Sequence, residues 1–528
     1  MMKILISDEL APEGVKILEA VKEFKVDCKY NMNAQELKSV IKDYDALIVR
    51  SATKVTSEII EAAGRLKFIG RAGVGLDNVD LKAATKKGIV AMNTPAGNTT
   101  STAEHTMSMI LSLARNIPQA NASIKAGKWE RSKFNGVELY GKTLGVIGFG
   151  RIGSTVAKFA KAFGMQILVA DPYLSMEVAN KRGVDMVELD HLIKNSDYIT
   201  IHIPKTSETK NMISDKEFAM MKKTVRLVNC ARGGIIDEKA LVKALEDGRI
   251  AGAALDVYDQ EPPDFTSPLF KFNNCVFTPH LGASTSEAQV NVAIEIAEAI
   301  SNALLGKGIL NAANFPSVDA ESYKVLEPYI NLALRLGKFS GQLVNGRVSE
   351  IKLTYGGVLS SYTTTPVTMS LIYGLLAPIL GETVNYLNAL DVAKERAINV
   401  QEIISNKEEE FVNFIKVEIK TDKEPFVIWG TLSSNKKARI VKINEVYVEA
   451  LPEGHMLVIH NNDKPGLVAA IGTVLAEVGV NIAGISLGRQ AAGSMAVSVV
   501  NVDSEVPESA IAKLKNTKDI LFIKLLKV

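Results

Sequence analysis

The sequence predicts an α/β protein. Two doubly wound parallel-sheet domains, one inserted into the other, precede an α+β domain and a small ferredoxin-like module. Three observations predict this. Apolar runs alternate with amphipathic stretches in two successive series, and such alternation builds parallel sheets with helices on both faces. A glycine-rich turn, "GVIGFGRIG" at 145–153, stands at the head of the second series rather than the first. Residues 453–528 read strand, helix, strand, strand, helix, strand.

In the first segment, 1–97, the β-rich runs are "KILISD", "YDALIVRS", "KFIGRAG" and "GIVAMN", and "PEGVKILEAV" has helical spacing. A helical region at roughly 98–127 leads into the glycine turn. "QILVADP", "YITIHIP", "VRLVNCA", "IAGAALDVY" and "NCVFTPH" then read as buried strands. The amphipathic run 286–305 is a helix without a following strand, and such a helix can carry the chain back to the first domain. The split domain is thus 1–97 with 285–313, and the inserted one is 98–284. "GKGILNAANFPSV", 306–318, is rich in Gly, Asn and Pro and reads as a linker. Residues 314–452 mix helical and strand patterns without catalytic spacing, and "LPEGH" breaks the chain before the last module, 453–528.

Composition excludes several classes. With 47% hydrophobic and 23% charged residues the chain suits a soluble globular protein. A net charge of +2 supplies no overall field towards nucleic acid or a membrane, so neither is expected as a partner. Cys28, Cys230 and Cys275 form no CxxC pair, which argues against a disulfide framework or a zinc site and fits a reducing compartment. The opening "MMKILISDEL" carries Asp8 and Glu9 where a signal peptide needs its apolar stretch. The uncharged run 353–381 is broken by Gly356, Gly357 and Pro366, so it is not expected to span a membrane. A cytoplasmic protein is expected.

Gly148, Gly150 and Gly153 allow a tight turn and close approach of a pyrophosphate to a helix N-terminus. Asp171 ends the next strand, 18 residues beyond Gly153, where a carboxylate accepts from both ribose hydroxyls and repels a 2′-phosphate. No Arg or Lys follows in "DPYLSME", so NAD is favoured over NADP. The alternative is a glycine turn of some other α/β protein. Arg232, Glu261 and His280 each follow an expected strand, and strand C-terminal ends line the crevice of an open sheet. Singly, they also read as a surface cap, a solvated acid and a structural histidine.

"GRAGVGLDNVD", "GKTLGVIGFGRIG", "NCARGGIIDE", "ALDVYDQEPP" and "TPHLGAST" stand in the order and spacing of the D-isomer-specific 2-hydroxyacid dehydrogenases, which the first 313 residues resemble. The resemblance implies that His280 is the acid/base. Glu261 would orient its imidazole and favour the charged form, and Arg232 would hold the substrate carboxylate. It implies NAD contacts from Val74 and from Gly148, Gly150, Arg151, Ile152, Gly153 and Asp171. Further along, His202, Ile203, Pro204, Cys230, Ala231, Arg232 and Asp256 would join them, with His280, Gly282 and Ala283. Cys230 is no nucleophile in this scheme.

Arg50 and Arg71 fall at apparent strand ends, and Arg131 lies in "GKWERSKF". Several cations around one crevice suit a substrate with a phosphate as well as a carboxylate, and solvated surface arginines are the plain alternative. The phosphoglycerate-oxidising members of the family resemble the chain here. That implies substrate contacts at Arg50, Ser51, Arg71, Gly73, Arg131 and Arg232, with the residue at 131 delivered by a partner subunit. Residues 314–452 are similar to the intervening domain of the long members, and "IHNNDKPGLVAAIGTVLAEVGVNIAGISLGRQ" resembles an ACT domain. Asn461, Asp463 and Asn481 would there meet the ammonium and carboxylate of an amino acid. The resemblance as a whole implies NAD-dependent oxidation of 3-phosphoglycerate by a homo-oligomer, a dimer or tetramer, with L-serine as effector. A glyoxylate or hydroxypyruvate reductase would explain the first 313 residues but not the remainder. An NAD-sensing binding protein on the same fold is the alternative from another class.

Overall fold

The computed structural model describes residues 1–405 and 410–528, and the described residues form four sheets. The first holds β1 (Met2–Ile6), β2 (Phe24–Cys28), β3 (Ala46–Val49), β4 (Phe68–Arg71) and β5 (Val90–Met92). Its order is β2-β1-β3-β4-β5, and every pair is parallel. The sequence runs yield all of these except β2, an edge strand in which only Phe24 is buried, too little for a hydrophobic pattern to register.

The second sheet contains β6 (Thr143–Ile147), β7 (Gln166–Ala170), β8 (Asp185–Met186), β9 (Tyr198–Ile201), β10 (Arg226–Asn229), β11 (Gly252–Leu255) and β12 (Cys275–Phe277). The order β12-β11-β10-β9-β6-β7-β8 is parallel throughout. From β6 the chain steps outward to β7 and β8, then crosses back to β9, so a crevice opens over the C-terminal ends of β6 and β9. The helix Ser286–Leu304 does return to the first sheet, where Val292, Ala293, Ile296 and Ile300 pack with Ile4, Ile6 and Ile48.

The segment 306–318, expected as a linker, is instead bonded to the edge of β5. Asn93 N–H donates to the Asn311 carbonyl at 3.0 Å, Ala313 N–H to that of Ala91 at 2.8 Å, and Ala91 N–H to Asn314 Oδ1 at 2.8 Å. Asparagines that signal a loop also supply the amides that satisfy an exposed strand edge.

The third sheet comprises β13 (Val348–Gly356), β14 (Asn399–Ser405), β15 (Phe414–Thr421), β16 (Phe426–Leu432), β17 (Ala438–Ile443) and β18 (Val446–Ala450), in the order β14-β13-β15-β16-β17-β18. The uncharged run 353–381 covers the end of β13 and a helix, Thr365–Leu380, buried against the helix Ala320–Leu343. No helix among the described residues is long and apolar enough to cross a membrane.

The fourth sheet is β19 (His455–Asn462), β20 (Ile482–Arg489), β21 (Met495–Val502) and β22 (Ile520–Lys527), antiparallel in the order β20-β21-β19-β22. Its helices, Leu467–Glu477 and Glu508–Lys515, cover Leu457, Ile459 and Val500. Met456, Val458, Val497 and Val499, on the other face, share one core with the third sheet. Packing continues onward: Met369 and Leu387 join the core of the first sheet, and the Asn385 amide donates to the Lys86 carbonyl at 2.8 Å.

Candidate active site

The turn after β6 is built for close backbone approach. Gly148 has φ +90°, and a Cβ there would lie 2.7 Å from the His202 carbonyl oxygen. A Cβ on Gly153 would lie 2.1 Å from the Gly148 oxygen. Around Gly150, which opens the helix Arg151–Ala162, a Cβ would meet no atom of the described residues within 4 Å. The space in front of that helix end is therefore free for a diphosphate. Asp171 is held in place by accepting from Phe149 N–H at 2.7 Å and Tyr173 N–H at 2.8 Å. Burial pushes the His202 imidazole down to about 3 and, with the Asp256 charge, the Cys230 thiol up to about 12. Both groups are therefore neutral at pH 7. Ile203 packs beside Gly148, and Arg151 is exposed at the head of the helix with Ile152 half-buried behind it. The backbone oxygens of Pro204 and Ala283 accept from Thr209 Oγ1 and Gln289 Nε2. The open helix end, the glycine cradle and the fixed carboxylate fit a dinucleotide.

Arg232, Glu261 and His280 follow β10, β11 and β12, three neighbouring strands. His280 Nδ1 lies 2.7 Å from Glu261 Oε2, with both side chains partly exposed. Burial disfavours the Glu261 carboxylate, but the hydrogen bond and charge of His280 and the Tyr258 N–H outweigh it, holding the carboxyl below its usual range. A cavity of about 500 Å³ beside the pair is walled by Tyr258, Pro262, Phe265, Phe270 and Phe277. His280 adopts φ +56°, a left-handed conformation uncommon outside glycine. Its N–H donates to the Asp256 carbonyl at 2.8 Å. The buried Asp256 carboxylate accepts from Thr278 Oγ1 at 2.6 Å, Leu281 N–H at 2.7 Å and Gly282 N–H at 2.9 Å, and His105 Nε2 is 3.2 Å away. The sequence reading missed His105 and Thr278. Thr278 opens "TPHLGAST" but was passed over for His280, His105 sits in no motif, and only the fold brings both to Asp256.

The other wall comes from the first sheet. Arg71 ends β4 and Arg50 follows β3. The Arg71 guanidinium is brought down to about 10 by burial and by the charges of Arg232 and Arg50, against the pull of Asp77 and Asp8, so it stays cationic at neutral pH. Its buried Nε has no partner among the described residues. Gly73 makes room for it, since a Cβ there would lie 2.5 Å from Arg71 Nη1. Arg50 N–H donates to Asp8 at 2.6 Å and its Nη1 to the Glu9 carbonyl at 3.1 Å. Ser51 is exposed beside it, and the Val74 carbonyl accepts from Asn93. Arg131 is exposed on the turn Arg131–Phe134.

The three residues expected to meet an effector are not gathered within one chain. Asp463 accepts from Arg489 Nη1 at 2.6 Å and Gly493 N–H at 3.0 Å, and these donors hold its carboxyl low. Asn461 is buried in the sheet and accepts from Ser498 Oγ at 3.0 Å. Asn481 donates to Asp503 at 2.7 Å, at the opposite end of the module, because β20 starts level with Val502 while Asn461 pairs with Ala496.

Comparisons with known proteins agree with this architecture. Residues 107–282 match the family model of the D-isomer specific 2-hydroxyacid dehydrogenase NAD-binding domain, 325–444 that of the D-3-phosphoglycerate dehydrogenase intervening domain, and 455–519 that of the ACT domain. A D-3-phosphoglycerate dehydrogenase of Methanocaldococcus jannaschii is 45% identical, over 99% of this chain and 100% of its own. The chain belongs to the D-3-phosphoglycerate dehydrogenase family. A family member from Bacillus subtilis is 40% identical over 100% of this chain and 99% of its own. Among solved structures, a D-lactate dehydrogenase from Aquifex aeolicus complexed with NAD and lactic acid is 31% identical with a TM-score of 0.54, covering 60% of this chain and all of its own. A glyoxylate reductase from Paecilomyes thermophila has 31% identity and a TM-score of 0.54, covering 59% of this chain and 98% of its own. The chain is thus an NAD-dependent oxidoreductase, and NAD is its cofactor.

Gly150 and Gly153 separate cofactor binding from folding. Gly150→Val should leave the thermal unfolding midpoint nearly unchanged and weaken NADH, followed by fluorescence titration, more than about tenfold. Gly153→Val should lower the midpoint itself, through overpacking that typically costs about 1–3 kcal/mol. Undiminished NADH affinity in Gly150→Val would contradict the placement of the diphosphate.

Proposed function

We propose that the chain oxidises 3-phosphoglycerate to 3-phosphohydroxypyruvate, with His280 and Glu261 as the acid/base pair and Arg232 as the carboxylate anchor. The observation that carries this reading is the 2.7 Å bond between His280 Nδ1 and Glu261 Oε2, at a crevice also lined by Arg232 and Arg71. When bound, NAD supplies the acceptor for the hydride that leaves C2. His280 Nε2, the nitrogen Glu261 does not engage, takes the hydroxyl proton as the C2–O bond becomes a carbonyl, and returns it in the reverse reaction. Glu261 fixes the ring and balances the charge it gains. Arg232 holds the carboxylate with its planar fork, and Arg71 and Arg50, with Ser51 and the Gly73 backbone, take the phosphate. The division of labour is 1–97 with 285–313 for substrate, 98–284 for NAD, 314–452 as intervening domain and 453–528 for the effector. The protein works in the cytoplasm, a compartment suited to its three free cysteines. It acts as a homo-oligomer in which Arg131, exposed on its own chain, serves the crevice of a second copy.

L-serine is the effector in this reading. Asp463 and the helix end at Gly466 offer one half of a site for a zwitterion, and Asn481 offers the other from a second module, since the two lie at opposite ends of one. The core shared by the third and fourth sheets and its contacts onto the first sheet supply a packed route to the substrate wall.

His280→Ala should lower kcat by about 10²–10⁴-fold, far more than it weakens NADH. Glu261→Gln should cost less. The amide keeps an oxygen that accepts from the ring Nδ1–H, so the imidazole stays oriented and only the balancing charge is lost. Near-normal turnover in His280→Ala, measured as NADH oxidation with 3-phosphohydroxypyruvate, would overturn the assignment. For control, Asp463→Ala should abolish inhibition by L-serine, read as the ratio of rates with and without it. Calorimetry on the full chain showing no serine binding would overturn that part of the reading.

A further inference from the structure

We infer that Asp77 is a positioning residue that orients the Arg232 guanidinium from across the crevice. The inference rests on the reading of Arg232 as carboxylate anchor. Arg232 stands on the turn after β10 in the nucleotide lobe. Asp77 stands in the loop between β4 and the helix Leu81–Lys87 of the substrate lobe. Across 155 residues of sequence, Arg232 Nε donates to Asp77 Oδ2 at 3.0 Å. On its other side Arg232 Nη1 donates to the Ala231 carbonyl at 2.7 Å. Two bonds on different nitrogens fix both the placement of the planar group and its rotation. Two protons on Nη2 and one on Nη1 remain, and they form the edge that can meet a carboxylate bidentately.

The opposing backbone is shaped for this placement. A Cβ on Gly75 would lie 1.9 Å from Arg232 Nη2, so only glycine leaves room for the guanidinium there. The loop carrying Asp77 is itself tied down. Asn78 Nδ2 donates to the Arg50 carbonyl at 2.7 Å and to that of Thr53 at 2.6 Å. Asp77 therefore joins Arg232 to the same loop network that supports Arg50, and the two proposed anion anchors are set by one segment.

Charge alone would give Asp77 the opposite role. Its carboxylate lies beside a site proposed to take a phosphate and a carboxylate, and as a bare charge it repels both. Removing a repulsive charge lowers KM, whereas releasing Arg232 raises it. The sign of the change therefore discriminates. Asp77 is exposed on its loop, at 67%, so its replacement should leave folding intact.

The test is steady-state kinetics with 3-phosphohydroxypyruvate, alongside NADH titration and thermal unfolding of the full-length protein. Asp77→Ala should raise KM about tenfold with kcat within about threefold, because the carboxylate is held before and during reaction. Asp77→Asn keeps an oxygen to accept from Nε–H and should return KM to within about threefold of the wild type. A lower KM in both variants would overturn the inference and leave Asp77 as a repulsive charge. A fall in NADH affinity or unfolding midpoint together with the KM change would also overturn it, in favour of a structural role. Arg232→Lys separates this inference from the reading beneath it. Normal kinetics in Arg232→Lys would defeat the carboxylate-anchor reading, whereas a defect there with normal kinetics in Asp77→Ala would defeat only the role of Asp77. In an Arg232→Lys background, Asp77→Ala should add little.

Discussion

Asp256 has no exposed surface, and a carboxylate so placed is tolerated only where donors surround it. Thr278, Leu281 and Gly282 donate to it and His105 lies within reach, and together they outweigh the burial that would otherwise neutralise it. Its backbone oxygen meanwhile receives the N–H of His280. These bonds fold the segment after β12 over the end of β11 and keep His280 left-handed, a conformation costing about 1–2 kcal/mol outside glycine. The imidazole meets Glu261 only with that turn in place. The proposed acid/base pair thus depends on a buried residue whose carboxylate bonds to Thr278, Leu281 and Gly282 rather than to either member of the pair.

The parallel sheets then place everything else. Chain reversal between β6 and β9 opens one crevice in the nucleotide lobe, and the C-terminal ends of β3 and β4 face it with arginines from the other. A substrate anionic at both ends can be gripped from both lobes. The return helix Ser286–Leu304 packs against β4, beneath Gly70, so the same element joins the lobes and supports the strand that carries Arg71. The appended part is continuous with this framework, for the fourth sheet shares a core with the third, and Met369 and Leu387, between β13 and β14, reach the core of the first.

Much of this was legible in the sequence because its signals are local. The glycine turn, Asp171 and the order of the last module depend on spacing within a few tens of residues, and the parallel strands announced themselves as buried apolar runs. Arg232, Glu261 and His280 each follow a strand, as expected, but position alone also fits a surface cap, a solvated acid and a structural histidine, and the roles proposed for them rest on the resemblance. Other features were hidden for physical reasons. β2 and β8 are edge strands with little or no buried surface, so no pattern marks them. The segment 306–318 has a loop's composition, yet its asparagines pair with β5. Asn461 was expected at a ligand, but a strand's period of two puts it on the face of Leu457 and Ile459, and it bonds to Ser498 inside the sheet. Contacts such as Arg232 with Asp77, or His105 with Asp256, join distant segments, and no local pattern encodes them.

In the proposed division of labour, arginines from the first sheet read a phosphate while the nucleotide lobe handles the carboxylate and the proton. The most direct test compares kcat/KM for NADH-dependent reduction of 3-phosphohydroxypyruvate and of hydroxypyruvate, which differ only in that phosphate. Each charge-assisted contact is worth about 1.5–3 kcal/mol, or roughly ten- to a hundredfold. With Arg71 and Arg50 both engaged, the phosphorylated substrate should be favoured by at least about a hundredfold. Equal values for the two would contradict the claim and point to a reductase of unphosphorylated 2-oxo acids.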